Sequence, residues 1–164
     1  MVLRRLHNED WGFETNCFVC EPRNNEGLRM PFFADDEVGL VLANFTLSTS
    51  FSGAPMMVHG GVCLAILDEA QAWAAIALVG RVAVTAETTS RFSRPVLIDR
   101  PHVVEARIVD VGATELWASA VIRNERGKDC VASEARFVIL SEAQAVRMTG
   151  TEIVSAELQR FLPN

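Results

Sequence analysis

Apolar and polar residues alternate along residues 41–48, with every second side chain apolar. A period of two predicts a β-strand with one buried face. Residues 51–58 contain a glycine and a proline and are expected to form a loop. After this loop the pattern changes, because residues 61–79 are apolar on almost all sides and Gly80 follows them. This predicts one long buried helix that ends at Gly80.

Four further strand-like segments follow the helix, and turn-forming residues separate them. They cover approximately residues 82–94, 102–111, 115–124 and 130–140, and are expected to form an antiparallel meander. Near the end of the chain, the spacing of apolar residues over residues 151–162 predicts an amphipathic helix, whose contacts would be Ile153, Leu158, Phe161 and Leu162.

A helix that is apolar on nearly all sides must be covered on nearly all sides, so the sheet is expected to curl around it. The predicted fold class is therefore α+β, with an antiparallel β-sheet wrapped around one long central helix. The length of 164 residues fits a single domain, residues 1–164. Its core is expected at about residues 37–140, after an N-terminal extension of residues 1–36.

The amino-acid composition argues against nucleic acid and membranes as partners of the protein. The net charge is −6 and 14 of the 15 basic residues are arginine, so no lysine-rich stripe is present to bind nucleic acid. The apolar helix is long enough to span a bilayer, but an aspartate at its centre argues against a membrane span. The first residues have no apolar run typical of a secretory signal. A cytoplasmic protein is expected, with no nucleic acid and no membrane as partner.

The four cysteines are Cys17, Cys20, Cys63 and Cys130. The first two form a CxxC motif, but there is no second pair and the three histidines are scattered. No metal site is therefore predicted. A redox role is not expected either, because the residues around the motif do not resemble a strand followed by a helix start.

His59-Gly60-Gly61 immediately precedes the apolar helix, which contains Asp68. The glycines allow a tight turn that exposes N–H groups at a helix start, where partial positive charge can bind an oxyanion. A carboxylate in an apolar helix is costly, so Asp68 is a candidate catalytic group. The alternative is a structural aspartate that is simply hydrogen-bonded. Glu69 is expected to pair with an arginine.

The spacing within this helix has a consequence for assembly. Gly60 and Asp68 are eight residues apart, which separates them by about 12 Å along a straight helix. One carbonyl group cannot touch both in one chain. If they act together, Asp68 must meet the Gly60 amide of a second subunit, as an antiparallel pair of helices across a two-fold axis would allow. A homodimer or a dimer of dimers is therefore predicted.

Three groups of residues resemble the hotdog-fold acyl-CoA thioesterases, and specifically their PaaI-like branch. They are Asn16-Cys17-Phe18-Val19-Cys20 with Gly27-Leu28, then Val58-His59-Gly60-Gly61-Val62 with Leu67-Asp68-Glu69-Ala70, and finally Arg91-Phe92-Ser93-Arg94-Pro95-Val96. The resemblance implies hydrolysis of an acyl- or aryl-CoA thioester at sites shared by two subunits. It implies no metal and no organic cofactor, with coenzyme A bound only as part of the substrate.

The resemblance also implies residue roles. Asp68 matches the catalytic carboxylate, as general base or nucleophile, and Gly60 matches the residue whose N–H polarises the thioester carbonyl. Thr85 falls where the family has a Ser or Thr that assists the attacking water, and His59 is either catalytic or structural. The residues implied to hold the substrate are Gly61, Phe92, Ser93, Arg94, Gly112 and Thr114.

Two positions depart from the family pattern. Gly53 stands where an Asn or Gln is frequent, so water orientation would pass to His59 or Thr85. The turn around Gly112 carries Asp110 and Glu115 where basic residues are frequent in relatives. Two other functions remain open from the sequence: a non-catalytic acyl-CoA-binding module, and a hotdog hydratase or dehydratase acting at an acyl β-carbon.

Overall fold

The computed structural model describes residues 2–12, 14–150 and 154–163. Its centre is a helix, α1 (Gly60–Ala74), which continues into a π-helical turn at Ala75–Val79. Gly80 ends it in the left-handed conformation, with a φ of 70°. The predicted helix and its stop at Gly80 are confirmed. By length and composition this helix could cross a membrane, but in the fold it packs against the strands of the sheet.

Seven strands form one antiparallel sheet. In chain order the strands of the fold are β1 (Arg4–Arg5), β2 (Phe33–Asp35), β3 (Leu40–Phe45), β4 (Ser52–Ala54), β5 (Met57–Val58), β6 (Ala83–Phe92), β7 (His102–Val111), β8 (Glu115–Asn124) and β9 (Asp129–Ile139). β4 and β5 form a separate two-stranded pair within the segment predicted to be a loop, and Met57 of β5 also bridges to Leu97. The predicted strands on either side of the helix are confirmed to within a few residues.

The strand order differs from the predicted meander. The order in the sheet is β1-β2-β3-β7-β8-β9-β6, so β6 pairs with β9 and lies at an edge, while β7 pairs with β3. Only β7, β8 and β9 form a meander. Consecutive strands need not pair when a connection crosses the sheet, and the segment after β6 makes such a crossing. In addition, the β6–β9 register shifts by one residue between Thr85 and Glu87.

The sheet wraps around α1 as predicted. Buried residues of α1 such as Ile66, Leu67 and Ala70 face a core formed by the inner side of the strands. Gln71 is also buried, and its Nε2 donates to the backbone oxygens of Ala118 (3.1 Å) and Ser133 (3.4 Å). A polar side chain of the helix is thereby anchored directly to the sheet, and its buried polar atom is paired.

Both ends of the chain contribute to this packing. Residues before position 37 supply β1 and β2, and their side chains Leu6, Val19, Met30, Phe32 and Ala34 are buried in the main core. After the sheet come α2 (Glu142–Thr149), which the sequence analysis did not predict, and α3 (Ala156–Gln159). The predicted helix over 151–162 corresponds, in the described residues, to α3 with the following turn, where Leu158 and Leu162 are buried. Residues 151–153, and with them Ile153, lie outside the described residues.

Candidate active site

The N-terminus of α1 is shaped by His59. Its ring Nδ1 accepts a hydrogen bond from the Gly61 N–H (2.9 Å), so His59 is the N-cap of the helix. The backbone oxygen of His59 accepts from Val62 and Cys63. Among the described residues, the Gly60 N–H has no acceptor. Gly60 therefore carries the first-turn amide that is left for a ligand.

Small residues let this turn form. A Cβ added at Gly53 would lie 3.0 Å from the Cα of His59, so a larger side chain there would displace the capping histidine. Position 53 thus serves close packing and not water orientation. On the other side, a Cβ at Gly60 would lie 3.6 Å from the ring of Phe92, which covers the Gly60 backbone. The structure brings His59, Gly60, Gly61 and Phe92 together.

Ser93 and Arg94 continue this cluster at the end of β6. Both backbone N–H groups donate to the oxygen of Cys130, at 2.8 and 3.0 Å. The Arg94 guanidinium is exposed and donates to the backbone oxygen of Asp129 (2.8 Å). We refer to residues 59–61 and 92–94 as the amide half-site.

Asp68 lies two turns farther along α1 and is exposed, whereas Ile66 and Leu67 are buried. The Thr85 hydroxyl, on β6, donates a hydrogen bond to its Oδ1. This contact brings together the two residues to which the resemblance assigns catalytic roles. We refer to Asp68 and Thr85 as the acid half-site.

The two half-sites are separate within one chain. On β9, Thr85 is opposite Phe137 and Phe92 is opposite Val131, which places them about 20 Å apart along the strand. The turn with Gly112 and Thr114 lies at the acid end, since the Ile139 N–H donates to the Thr114 oxygen (2.9 Å). One chain therefore does not bring Gly112 and Thr114 to Phe92, Ser93 and Arg94.

Among the residues that the structure describes, Glu69 pairs with no arginine, so that expectation is wrong. Its Oε1 is 3.3 Å from the sulfur of Cys17, which the sequence analysis left without a role. Burial raises the pKa of the Glu69 carboxyl to about 8. The hydrogen bond with Cys20 lowers the pKa of the Cys17 thiol to about 6, and the same contact raises the pKa of Cys20. No spacing rule joins residue 17 to residue 69, so only the fold reveals this contact.

Three further large apolar side chains belong to α1 or to the segment before it. Trp73 is buried and its ring centroid is 6.0 Å from that of Trp11, so it belongs to the core. Met56 and Met57 are exposed beside the helix start, with 68% and 42% of their surface accessible.

Residues 57–131 match the family model of the thioesterase superfamily, and this segment includes both half-sites. The solved structures similar to this chain include a thioesterase superfamily protein that is 28% identical, with a TM-score of 0.67. That match covers 71% of this chain and 57% of the other, so less than two thirds of that protein is matched. No significantly similar sequence was found among curated proteins.

Two more distant structures share the fold. One is a hypothetical thioesterase from Streptococcus pneumoniae TIGR4 solved with coenzyme A (19% identity, TM-score 0.59, 62% of this chain and 79% of that one). The other is the E. coli PaaI protein from the phenylacetic acid degradation operon (20% identity, TM-score 0.59, 63% and 74%). The chain has the hotdog fold, and these matches confirm its resemblance to the hotdog thioesterase superfamily.

Proposed function

We propose that this protein is an acyl-CoA thioesterase that hydrolyses the thioester to a free acid and coenzyme A. The observation that carries the proposal is the exposed Asp68 carboxylate on the central helix, held by the Thr85 hydroxyl. In the proposed dimer the partner chain would cover Asp68, and a carboxylate removed from water requires a compensating interaction. A module that only bound acyl-CoA would not need this acid.

The amide half-site supplies the second requirement of acyl transfer. As the thioester carbonyl is attacked, its oxygen gains negative charge, which the free Gly60 N–H and the positive end of the helix dipole stabilise. His59 fixes this geometry as the N-cap of α1, so we assign it a positioning role. Asp68 either takes a proton from the attacking water or attacks the carbonyl itself. Thr85 fixes the carboxylate and contacts the water.

A complete site needs both half-sites, and a two-fold axis would bring them together. If Gly60 of one chain meets Asp68 of the partner, the axis passes near Leu64, which lies midway between them on α1. If Thr85 of one chain lies opposite Phe92 of the partner on antiparallel β6 strands, the axis passes between Thr88 and Thr89. In an isologous dimer one two-fold axis would have to meet both conditions.

The exposed surface of the chain supports this assembly. Gly61, Leu64 and Asp68 form a stripe of α1 that the sheet leaves uncovered, and 37% of the Leu64 surface is accessible. Next to it, β6 is a ten-residue edge strand whose residues are mostly exposed. A long unprotected edge is a template for pairing with another strand. A second copy of the chain would cover the edge and the stripe together.

Coenzyme A is the proposed carrier of the acyl group, since the Streptococcus pneumoniae protein of this fold was solved with it. In the proposed dimer, the Gly112–Thr114 turn of one chain would approach the Phe92–Arg94 segment of the other. Asp110 and Glu115 flank that turn; Glu115 is paired with Arg136, so Asp110 is the group that would repel phosphate. The nucleotide would therefore bind on the Arg94 side, where charge-assisted hydrogen bonds are available. The chemistry uses no metal and no organic cofactor.

Subunit complementation tests the proposal most sharply. Gly60→Pro removes the amide hydrogen, and His59 already has the extended backbone that precedes proline, with a ψ of 134°. Asp68→Asn removes the base and nucleophile. Each variant alone should hydrolyse acyl-CoA at a small fraction of the wild-type rate. Mixed dimers would contain one intact site, so an equal mixture after subunit exchange should regain about a quarter of wild-type activity.

The control is the same mixture without subunit exchange, which should stay inactive. A mixture that remains inactive after verified exchange would overturn the shared site, because both missing groups would then be needed from one chain. A panel of short, long and aryl acyl-CoA substrates that shows no Asp68-dependent hydrolysis would overturn the thioesterase function itself.

A further inference from the structure

The CxxC turn has the hydrogen bonds of a thiolate ligand. The Cys17 sulfur accepts from two backbone N–H groups, those of Val19 (3.3 Å) and Cys20 (3.4 Å). Two N–H donors directed at one sulfur favour its anionic form, which is the form that binds metals. The turn also holds both cysteine side chains on the same side, towards α1.

The third member of the cluster comes from α1. The sulfur atoms of Cys17 and Cys20 and a carboxylate oxygen of Glu69 all lie within 4.8 Å of one another. In a tetrahedral zinc site, metal–sulfur and metal–oxygen bonds of about 2.3 and 2.1 Å place sulfur and oxygen about 3.6 Å apart. The Cys17–Glu69 separation is 3.3 Å, so the three donors need only small shifts to share an ion.

The charges of the cluster point to a cation. Two thiols and a carboxyl group come together in a partly buried position. Within residues 2–12, 14–150 and 154–163, Glu69 forms no ion pair, and no basic side chain donates a hydrogen bond to either sulfur. Partly buried acidic groups are stabilised by pairing or by metal coordination. A divalent ion would supply the missing positive charge.

The surroundings of Cys20 fit an outer coordination shell. The Asn8 side chain is buried, and its Nδ2 lies 3.4 Å from the Cys20 sulfur and 3.1 Å from Glu21 Oε2. Glu21 is in turn paired with Arg23 at 2.6 Å. Such hydrogen-bonded partners orient ligand side chains and are typical of protein metal sites.

We propose that Cys17, Cys20 and Glu69 bind a divalent ion of the zinc type, with a water in the fourth position. The ion would tie the N-terminal segment to α1 at the residue next to Asp68, and it would act as a structural clamp. The proposal does not depend on the thioesterase function. No metal site was predicted from the CxxC motif alone, because the third ligand comes from a helix about 50 residues away.

Cobalt titration of the reduced, chelator-treated protein tests this site, because thiolate-bound Co²⁺ absorbs in the near ultraviolet and visible. We expect one equivalent to give the tetrahedral thiolate spectrum and Zn²⁺ to displace it. Cys17→Ala and Cys20→Ala should abolish the spectrum. Glu69→Gln, which keeps the shape of the side chain, should weaken binding at least about 10-fold, since loss of even an outer-shell partner costs that much.

Cys63→Ala and Cys130→Ala are the matched controls, since both cysteines are buried outside the cluster and these variants should retain the spectrum. Circular dichroism identifies any variant that fails to fold. If a cysteine variant does not fold, cobalt binding by Glu69→Gln tests the proposal instead. The proposal is overturned if the reduced protein gives no thiolate spectrum, if Cys17→Ala or Glu69→Gln binds cobalt as the unmodified chain does, or if the control variants lose binding equally.

Discussion

Thr85 donates its hydroxyl hydrogen to the Asp68 carboxylate, and this one contact joins the edge strand to the central helix. It leaves the second carboxylate oxygen available for a water or a substrate. It also places Asp68 at the margin between α1 and β6, where a second subunit is expected to dock.

Asp68→Asn should lower kcat for the best acyl-CoA by at least about 100-fold, because the amide keeps the shape but is neither a base nor an anionic nucleophile. The measurement is steady-state hydrolysis, with circular dichroism to confirm folding. Asp36→Asn, after β2 at the opposite edge of the sheet, is the matched control and should retain activity. Near-normal turnover by Asp68→Asn would remove Asp68 from the mechanism.

Thr85→Val should lower kcat by about 10-fold with little change in KM, since a hydrogen bond to a charged group is lost at the reacting carboxylate. Thr46→Val is the control, because Thr46 is exposed just beyond β3 and lies outside both half-sites. Equal losses in the two variants would indicate a general effect of the substitution, not an effect on Asp68.

Arg94→Ala should raise KM for acyl-CoA far more than it lowers kcat, because phosphate binding is remote from the bond that breaks. The same change should matter little for an acyl-pantetheine thioester that lacks the nucleotide. Arg100→Ala is the control, since Arg100 pairs with Glu125 at a different turn. If both substrates lose equally, the Arg94 contact with the Asp129 oxygen serves the fold instead.

Leu64→Arg should convert the proposed dimer to monomers and abolish hydrolysis, because two buried guanidinium groups would meet at the proposed two-fold axis. Analytical ultracentrifugation gives the mass, and the activity is followed in the same samples. Val109→Arg, on an exposed part of β7, is the control. A Leu64→Arg protein that stays dimeric would place the interface elsewhere.

Stability should fall as the pH drops below about 6.5, because burial lowers the pKa of His102 from its usual 6.5. Below pH 6.5 the His102 imidazole takes up a proton more readily in the unfolded chain than in the folded chain. The stabilisation present above pH 6.5 is therefore lost as the pH falls through the pKa of the folded state. His102 lies under the Phe45 ring, and Glu125 partly offsets the shift.

His102→Asn should flatten this dependence, since an amide N–H can still donate to the Arg100 oxygen but does not titrate. Urea unfolding at pH 7.5 and 5.5 gives the comparison. The same loss of stability in the variant would assign the effect to other groups.

The sequence predicted the parts of the fold that depend on periodicity. The apolar run before Gly80 and the alternation around Leu116 and Ala118 correspond to α1 and β8. α2 was missed because its apolar contacts are few, although Ser141 and Gln144 form a capping box that the sequence displays. The strand order could not be predicted from the sequence, since no local pattern specifies that β6 pairs with β9.

The candidate site residues Asp68, Gly60 and Thr85 came from motifs and from a resemblance. The structure adds the hydrogen bond between Thr85 and Asp68 and the close approach of Phe92 to Gly60. The role of His59 as a cap and the contact between Glu69 and Cys17 depend on side-chain positions that no spacing rule provides. These contacts arise only when distant segments pack together.

The register shift in β6 has a consequence for both half-sites. Thr85 and Phe92 are seven positions apart, an odd number, so in a regular strand they would point to opposite faces of the sheet. Because one extra residue is accommodated between Thr85 and Glu87, the parity changes and both side chains reach α1, one at Asp68 and the other at Gly60. A single-residue insertion after Glu87 would make the number of regular strand positions between Thr85 and Phe92 odd again. The Phe92 ring would then point to the opposite face of the sheet, away from Gly60.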